Sequence, residues 1–504
     1  MNTKSLLEDV RADSLKEVLG FETNCGAERF DTLFSKQIST NIEELQKRQR
    51  VLLKYKQATN QSLTNAALFG ELKRIEPTLQ TILNPTSLEK ESMEQILFSN
   101  TSHFQILNTI PFFLMCISLW KQFVVPLLAV CMPLFFFIAP YFTMKYYYRL
   151  PISFTEYTKI FCITLGIPST IENLQWKQTF QLVFTSISLG QSIYQPIQTS
   201  FHVRTIDADL QEKAKALLQL KAIFETMYPE NKTLFEDIQT EDPYRSFAAG
   251  WDLSYRIQIA LWMIGDMEVI HRVASSPLVQ SVKFQKKGYV KMTHLVNPLL
   301  EDAKSISFLL TPKRSHCLVT GPNGGGKSTV LRCILLNILF AQTLGVCFGQ
   351  EGGTFLLDPF DWIQSGLHLE DLPGKLSLFE REVEFASQAL HKARKNPNQR
   401  GLLLFDELFH STNPPDGERT ARIFLEQIWK FPHMSSMIST HVFSLAESSP
   451  KQIQKLCVPA TKDKNGRFLF SYCLQNGICK VSSVDLVLQR CGFFPPGKPE
   501  VGKE

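Results

Sequence analysis

The 504-residue sequence lacks any ordered cysteine framework. Its eleven cysteines fall in no CxxC pair and in no Cys/His ladder of zinc-binding spacing, which excludes a zinc module and a disulfide-stapled secreted scaffold. Cys116, Cys131, Cys317 and Cys333 sit in apolar surroundings, where a free thiol behaves as a small hydrophobe, so a reducing, intracellular compartment is expected. The first twenty residues are charged throughout and hold no apolar core, so no signal peptide is read there. Neither sign of charge dominates, with 53 Lys and Arg against 48 Asp and Glu. A net +5 permits contact with nucleic acid or anionic lipid but argues for neither. No segment repeats at a fixed period, and the chain is too long for one core, so about three units are expected.

Residues 1–100 read as a helical region. Thr40 followed by Glu43 predicts a capping box, with Ile42, Leu45, Leu52 and Leu53 continuing at helical spacing. Between 101 and 150 the composition changes. Phe104 to Trp120 carries no charge, Lys121-Gln122 interrupts, and the 22 residues from Phe123 to Met144 again carry none. The second run is long enough to cross a hydrocarbon core of about 30 Å, and Lys145, Tyr146, Tyr147, Tyr148 and Arg149 form the aromatic and basic flank of a membrane boundary. The first run is either a second span completing a transmembrane hairpin or an interfacial segment. A buried core hairpin is the soluble alternative, but Pro126, Pro133 and Pro140 suit a membrane helix better than a soluble core. A hairpin anchor over 104–144 leaves both flanks on one side, expected to be the cytosol.

From 151 to 285 amphipathic helix returns. Leu210, Ala214, Leu217, Leu220, Phe224 and Met227 make one stripe closed by Pro229, and Trp251 to Ile270 forms a second apolar helix. Residues 286–495 carry the chemistry, and the tail 496–504 is expected to be disordered.

The strongest local signal is LVTGPNGGGKST, Leu318 to Thr329. An apolar run ends at Gly321, the spacing GxxxxGK[ST] follows, and a helical stretch comes next, so an α/β domain with a largely parallel sheet is expected. Glycines let backbone N–H groups approach phosphate oxygens, and the helix N-terminus adds its positive dipole end. Gly321, Pro322, Asn323, Gly324, Gly325, Gly326, Lys327, Ser328 and Thr329 are therefore candidate ATP-binding residues. Lys327 is expected on the β- and γ-phosphates and Ser328 on Mg²⁺. LLLFDE (402–407) reads as a buried parallel strand delivering two carboxylates to its C-terminal end. Asp406 is placed to hold Mg²⁺ and Glu407 to orient or deprotonate the attacking water. A further apolar stretch, MSSMIST, ends at Thr440-His441, where an imidazole can sense the γ-phosphate.

These residues resemble the MutS DNA mismatch-repair ATPases, an ABC-type family. TGPNGGGKST is similar to that family's P-loop. DELFHSTNPPDG (Asp406 to Gly417) is similar to its DE segment, with Thr412, Asp416 and Gly417 in place, and STHVFSL is similar to its histidine switch. DLPGKLSLFEREVEF resembles the signature loop, with Asp371, Ser377, Phe379 and Glu382 at the family's spacings. The resemblance implies that Ser377 acts in trans on a partner's ATP, hence a homodimer, and that Tyr472, Leu474, Gly477 and a helix from Ser482 close the domain. It covers roughly residues 290–495. Gly374 lies one residue early, and His410-Ser411 stands where the family has Arg-Gly. Phe154-Thr155-Glu156 matches the family's Phe-x-Glu mismatch wedge as letters but lacks its domain.

Two function classes follow. One is a DNA-repair ATPase whose dimer clamps a duplex; Lys47, Arg48 and Arg50, and Lys283, Lys286 and Lys287, are its candidate phosphate contacts. The other is a membrane-anchored MutS-like ATPase without mismatch recognition, the truncated membrane branch of the resemblance. Transport is disfavoured, because two short spans make too little pore wall.

Overall fold

The computed structural model describes residues 3–98, 104–164, 176–236, 238, 244, 253–369, 377–462 and 468–481, and the protein is a mixed α/β structure. Contacts divide the chain into two units, one joining residues 1–70 to 262–504 and the other made of 71–261. Composition set boundaries at 100, 150 and 285. The division differs because the first four helices bury their apolar faces against the C-terminal part of the chain.

Those helices are α1 (Thr3–Asp9), α2 (Ala12–Leu19), α3 (Asn24–Lys36) and α4 (Ile42–Gln57). The cap of α4 is Asn41, whose side chain accepts from the backbone N–H groups of Glu43 and Glu44. The box expected at Thr40 does not form, because the asparagine one residue later satisfies two of the helix's orphan donors at once.

Helix α5 (Thr59–Leu83) leads into the second unit, which adds α6 (Ser87–Met93), α7 (Pro111–Leu119), α8 (Val125–Phe142), α9 (Phe154–Thr164) and α10 (Trp176–Met227). The two apolar runs do not fold back on each other as a hairpin. A π turn over Trp120–Val124 joins α7 to α8, and another over Thr143–Tyr147 extends it, so Pro111–Tyr147 is one helix of 37 residues. No glycine or asparagine offers a reversal at Lys121-Gln122, and Gln122 is used within the helix, donating to Ser118 Oγ at 2.8 Å. Beside α8, Phe161 of α9 meets Phe137 edge to face at 4.9 Å. Helix α10 runs unbroken for 52 residues with Pro196 inside it. Its C-terminal half buries Leu210, Ala214, Leu217, Leu220, Phe224 and Met227, the stripe read from the sequence.

After α11 (Leu253–Ser275) come β1 (Val279–Ser281), β2 (Lys283–Phe284), β3 (Val290–Leu295), β4 (Ile306–Leu310) and β5 (His316–Thr320). Then follow α12 (Lys327–Leu344), β6 (Val346–Phe348), β7 (Phe355–Leu357), β8 (Trp362–Gly366), α13 (Leu378–Lys395) and β9 (Gly401–Phe405). The rest is α14 (Pro414–Ile428), β10 (Met434–Ser439), α15 (Phe443–Ser448), β11 (Gln454–Cys457), β12 (Ala460–Lys462), β13 (Phe468–Phe470) and β14 (Gln475–Asn476).

The main sheet runs β14-β11-β5-β10-β9-β8, parallel except for the antiparallel edge strand β14. Strands β5, β9 and β10 are buried at every position, as strands covered on both faces must be. A second sheet, β2-β7-β3-β4, packs into the same core. Helix α12 lies at its centre. Its two interior amides are satisfied by backbone: Asn337 accepts from Phe348 N at 2.6 Å, and Gln342 accepts from Phe360 N at 3.0 Å and donates to Phe360 O at 2.9 Å. Phe34 of α3 meets Phe340 at 4.5 Å, and Phe340 meets Phe348 at 4.7 Å. Arg48, a candidate for DNA contact, instead donates to Gln37 O at 2.9 Å and Thr343 O at 2.8 Å and so closes helix ends. Lys283, Lys286 and Lys287 are exposed.

Candidate functional site

The predicted residues other than Ser377 follow the C-terminal ends of the parallel strands, where open α/β sheets place their ligand crevice. Strand β5 ends at Thr320, the turn occupies 321–326, and α12 begins at Lys327, so Lys327, Ser328 and Thr329 form its first turn. Gly324 and Gly326 are left-handed (φ 75° and 97°), a conformation that glycine adopts without strain. A Cβ on Gly326 would stand 3.2 Å from the Tyr472 ring. The Lys327 ammonium is buried and folds back on the turn, donating to Gly321 O and Pro322 O at 3.1 Å each. Burial pushes its pKa below the usual lysine range, and the carboxylates of Glu407 and Asp406 oppose that shift. Those two acids therefore lie within electrostatic range of the Lys327 ammonium.

Strand β9 delivers Asp406 and Glu407 as its apolar run implied. Ser439, the last residue of neighbouring β10, hydrogen-bonds both: its Oγ donates to Asp406 Oδ1 and accepts from Glu407 N at 2.8 Å. Two residues on, His441 Nε2 lies 2.8 Å from Glu407 Oε1. That hydrogen bond is the main reason the Glu407 carboxyl sits below its ordinary pKa, against the desolvation that would raise it. Glu407 and Phe409 both take left-handed φ (49° and 52°) without being glycine. Such conformations cost about 1–3 kcal/mol each and cluster where a site needs a fixed geometry.

Ser377 is the exposed N-cap of α13, closed by a reciprocal capping box with Glu380. Its side chain bonds to Glu380 within its own helix, whereas Lys327 bonds to Gly321 and Pro322. Asp371, Gly374 and the helix expected from Ser482 lie outside the described residues. Five residues into α13, Glu382 is buried and takes a bond from Ser411 Oγ at 2.8 Å and His410 Nδ1 at 2.9 Å. Burial raises the Glu382 pKa, and these two partners hold it back. His410 Nδ1 also lies 2.9 Å from Glu407 O. The His410-Ser411 pair thus serves the buried acid of α13. The sequence marks Glu382 by its spacing and His410-Ser411 as a departure but gives no sign that they meet, and Ser439 is announced only by the small polar residues inside the apolar strand MSSMIS.

A glycine-rich turn, a buried ammonium, two carboxylates at one strand end and an imidazole on one of them can bind an anion, hold a hard divalent cation and activate water. Residues 317–495 match the family model described as MutS domain V. Similar curated proteins are each named DNA mismatch repair protein MutS. That of Streptococcus equi subsp. equi is 34% identical over 175 residues, 34% of this chain and 20% of the relative. That of Streptococcus sanguinis is 30% identical over 174 residues, again 34% and 20%. That of Listeria innocua is 32% identical over 171 residues, 33% of this chain and 19% of the relative. The match thus spans about a fifth of the length of these relatives. The C-terminal part of this chain is MutS-like.

Proposed function

We propose that the protein is a Mg-dependent ATPase of MutS type, whose P-loop is residues 321–329. The observation that carries this is the meeting of Lys327, Asp406, Glu407 and His441 around one glycine-rich turn, in a segment that matches MutS domain V. ATP is held by the turn from Gly321 to Gly326 and the first turn of α12, with Lys327 released from Gly321 O and Pro322 O to the phosphates. The Ser328 hydroxyl and the Asp406 carboxylate are hard oxygen donors suited to Mg²⁺, which would neutralise phosphate charge when bound. Glu407, ionised and oriented by His441, accepts a proton from the attacking water. Ser377 acts on the nucleotide of a second copy, a reading supported by its exposure at a helix N-terminus and by the resemblance of its segment to the MutS signature loop. The active species is accordingly a homodimer.

The long exposed apolar helix Pro111–Tyr147 supports a membrane anchor, with the ATPase on the cytosolic side. A DNA-repair role is the second reading, favoured by the names of the relatives. ATP turnover by the detergent-solubilised full chain, measured alone, with homoduplex, with mismatched duplex and in lipid vesicles, separates these readings. Lys327→Ala is expected to abolish ATP binding. Glu407→Gln is expected to bind ATP yet hydrolyse it about 10²–10³ times more slowly. Wild-type protein that binds no ATP sinks the proposal. Stimulation by mismatched duplex alone favours repair, and lipid dependence with indifference to DNA favours the anchored ATPase.

A further inference from the structure

We infer that the N-terminal half of α10, residues 178–201, is a second membrane crossing antiparallel to α8. The anchor is then an α8–α10 pair rather than a hairpin within 104–144. The inference rests on the membrane reading above and deepens it.

The first argument is parity. Residues 1–70 share one core with 262–504, Leu6, Val10 and Phe30 lying in the same apolar cluster as Leu331 and Phe340. A chain that leaves this body and crosses a bilayer through α8 must cross back before residue 262. Among the described residues between 148 and 261, α9 is too short at 11 residues and carries Glu156 and Lys159. The segment from Gln178 to Phe201 has 24 residues, about 36 Å of helix, with no Asp, Glu, Lys or Arg.

The second argument is register. Ser200 Oγ donates to Gln122 O at 2.6 Å, and the Arg204 guanidinium lies 5.1 Å from the Phe123 ring. Further along α10, Val203, Ile206 and Leu210 pack with Leu114, earlier on the α7–α8 rod. The helices are therefore antiparallel, and 178–201 lies level with the run from Phe123 onward. Both present apolar side chains outward: Phe180, Phe184 and Ile187 on α10, Leu127, Leu134 and Phe135 on α8. Cations bracket the band in sequence, with Lys121 and Arg204 at one end and Lys145, Arg149 and Lys177 at the other, beside three exposed tyrosines. That is the flanking pattern of a lipid boundary and not of an interface between soluble proteins.

Five glutamines and several hydroxyls make this half of α10 less apolar than α8, which is why hydrophobicity alone passes over it. Hydroxyls can be satisfied inside the helix: Ser192 donates to Leu189 O at 2.8 Å and Thr199 to Gln195 O at 2.9 Å. Polar residues without charge are tolerated in membrane helices that have helical neighbours.

Alkylation of single cysteines by a membrane-impermeant maleimide tests the pair. In a full-length chain with Cys116, Cys131, Cys162, Cys473 and Cys491 replaced by alanine, the remaining buried thiols are shielded, and Leu128→Cys, Phe184→Cys and Lys215→Cys are compared in native membranes. Unchanged thermal unfolding of the soluble body shows that each variant is folded. Leu128→Cys and Phe184→Cys are both expected to react at least about tenfold more slowly than Lys215→Cys, because the reactive thiolate is excluded from hydrocarbon. In detergent containing denaturant all three should react alike. A protected Leu128→Cys with a freely labelled Phe184→Cys overturns the inference and leaves the anchor standing. Free labelling of both overturns the anchor and the inference together.

Discussion

Among the described residues, two helices are long and apolar enough to cross a membrane by length and composition: α12, with 83% of its apolar window buried, and the α7–α8 rod, with none. The first is wrapped by the sheet and by α1–α4, its amides answered by backbone groups. The second packs along one side and leaves Leu127, Leu134 and Phe135 bare. What surrounds a helix, and not how apolar it is, separates a core helix from a candidate span. The identical substitution in each should therefore have opposite consequences for the body formed by residues 1–70 and 262–504.

The largest contrast is expected from a buried charge. Leu336→Asp in α12 should cost on the order of 5 kcal/mol or more, comparable with the whole stability of a domain, so the body should fail to fold. Leu134→Asp should leave the body's unfolding midpoint unchanged and lower only retention in membranes after an alkaline wash. If the two variants were equally destabilised in denaturant titrations, the distinction between the helices would not hold. A milder version uses phenylalanine. Phe340→Ala should cost about 3–5 kcal/mol through lost packing and a cavity, whereas Phe136→Ala should move the same titration by less than about 0.5 kcal/mol.

A third test sharpens the comparison from the sheet side. Burial lowers the His316 pKa from 6.5 to about 4, and its Nδ1 lies 2.9 Å from Ser436 Oγ. The folded state therefore resists protonation where the unfolded chain accepts it. Stability should be flat above about pH 6.5 and fall by up to about 1.4 kcal/mol per pH unit from there down to about pH 4. His271, lowered likewise to about 4 by burial, adds to that slope. His316→Asn should flatten the slope in urea titrations run from pH 7 to pH 4.5; an unaltered slope would remove the assignment. The smallest effect belongs to Asn41, whose replacement by alanine should cost about 1 kcal/mol of thermal stability through the lost cap, without change in membrane retention.

The same contrast explains what could be read in advance. The turn 321–329 and the acids at 406–407 were legible because phosphate and metal chemistry demands fixed residue types at fixed spacing, and an apolar strand before each announces its place. The stripe on α10 from Leu210 to Met227 was legible because helical period reports which face is buried. Period does not name the partner. Nothing local in Phe30 or Phe34 says that they will meet Phe340, three hundred residues away. The bonds of Ser439 and Glu382 were hidden for the same reason, since they join strands and helices adjacent only in space. A hairpin within 104–144 does not form, because the break in hydrophobicity at Lys121-Gln122 is no break in backbone and that dipeptide has no residue that favours reversal.

Helix α10 has a mechanical consequence. Fifty-two residues of continuous helix make a strut about 78 Å long, stiff to twist along most of its length. Pro196 lacks one rung of the hydrogen-bond ladder and is its compliant point. Bending is therefore easiest at that point, between the segment carrying Phe180 and Phe184 and the half that buries Leu210 to Met227.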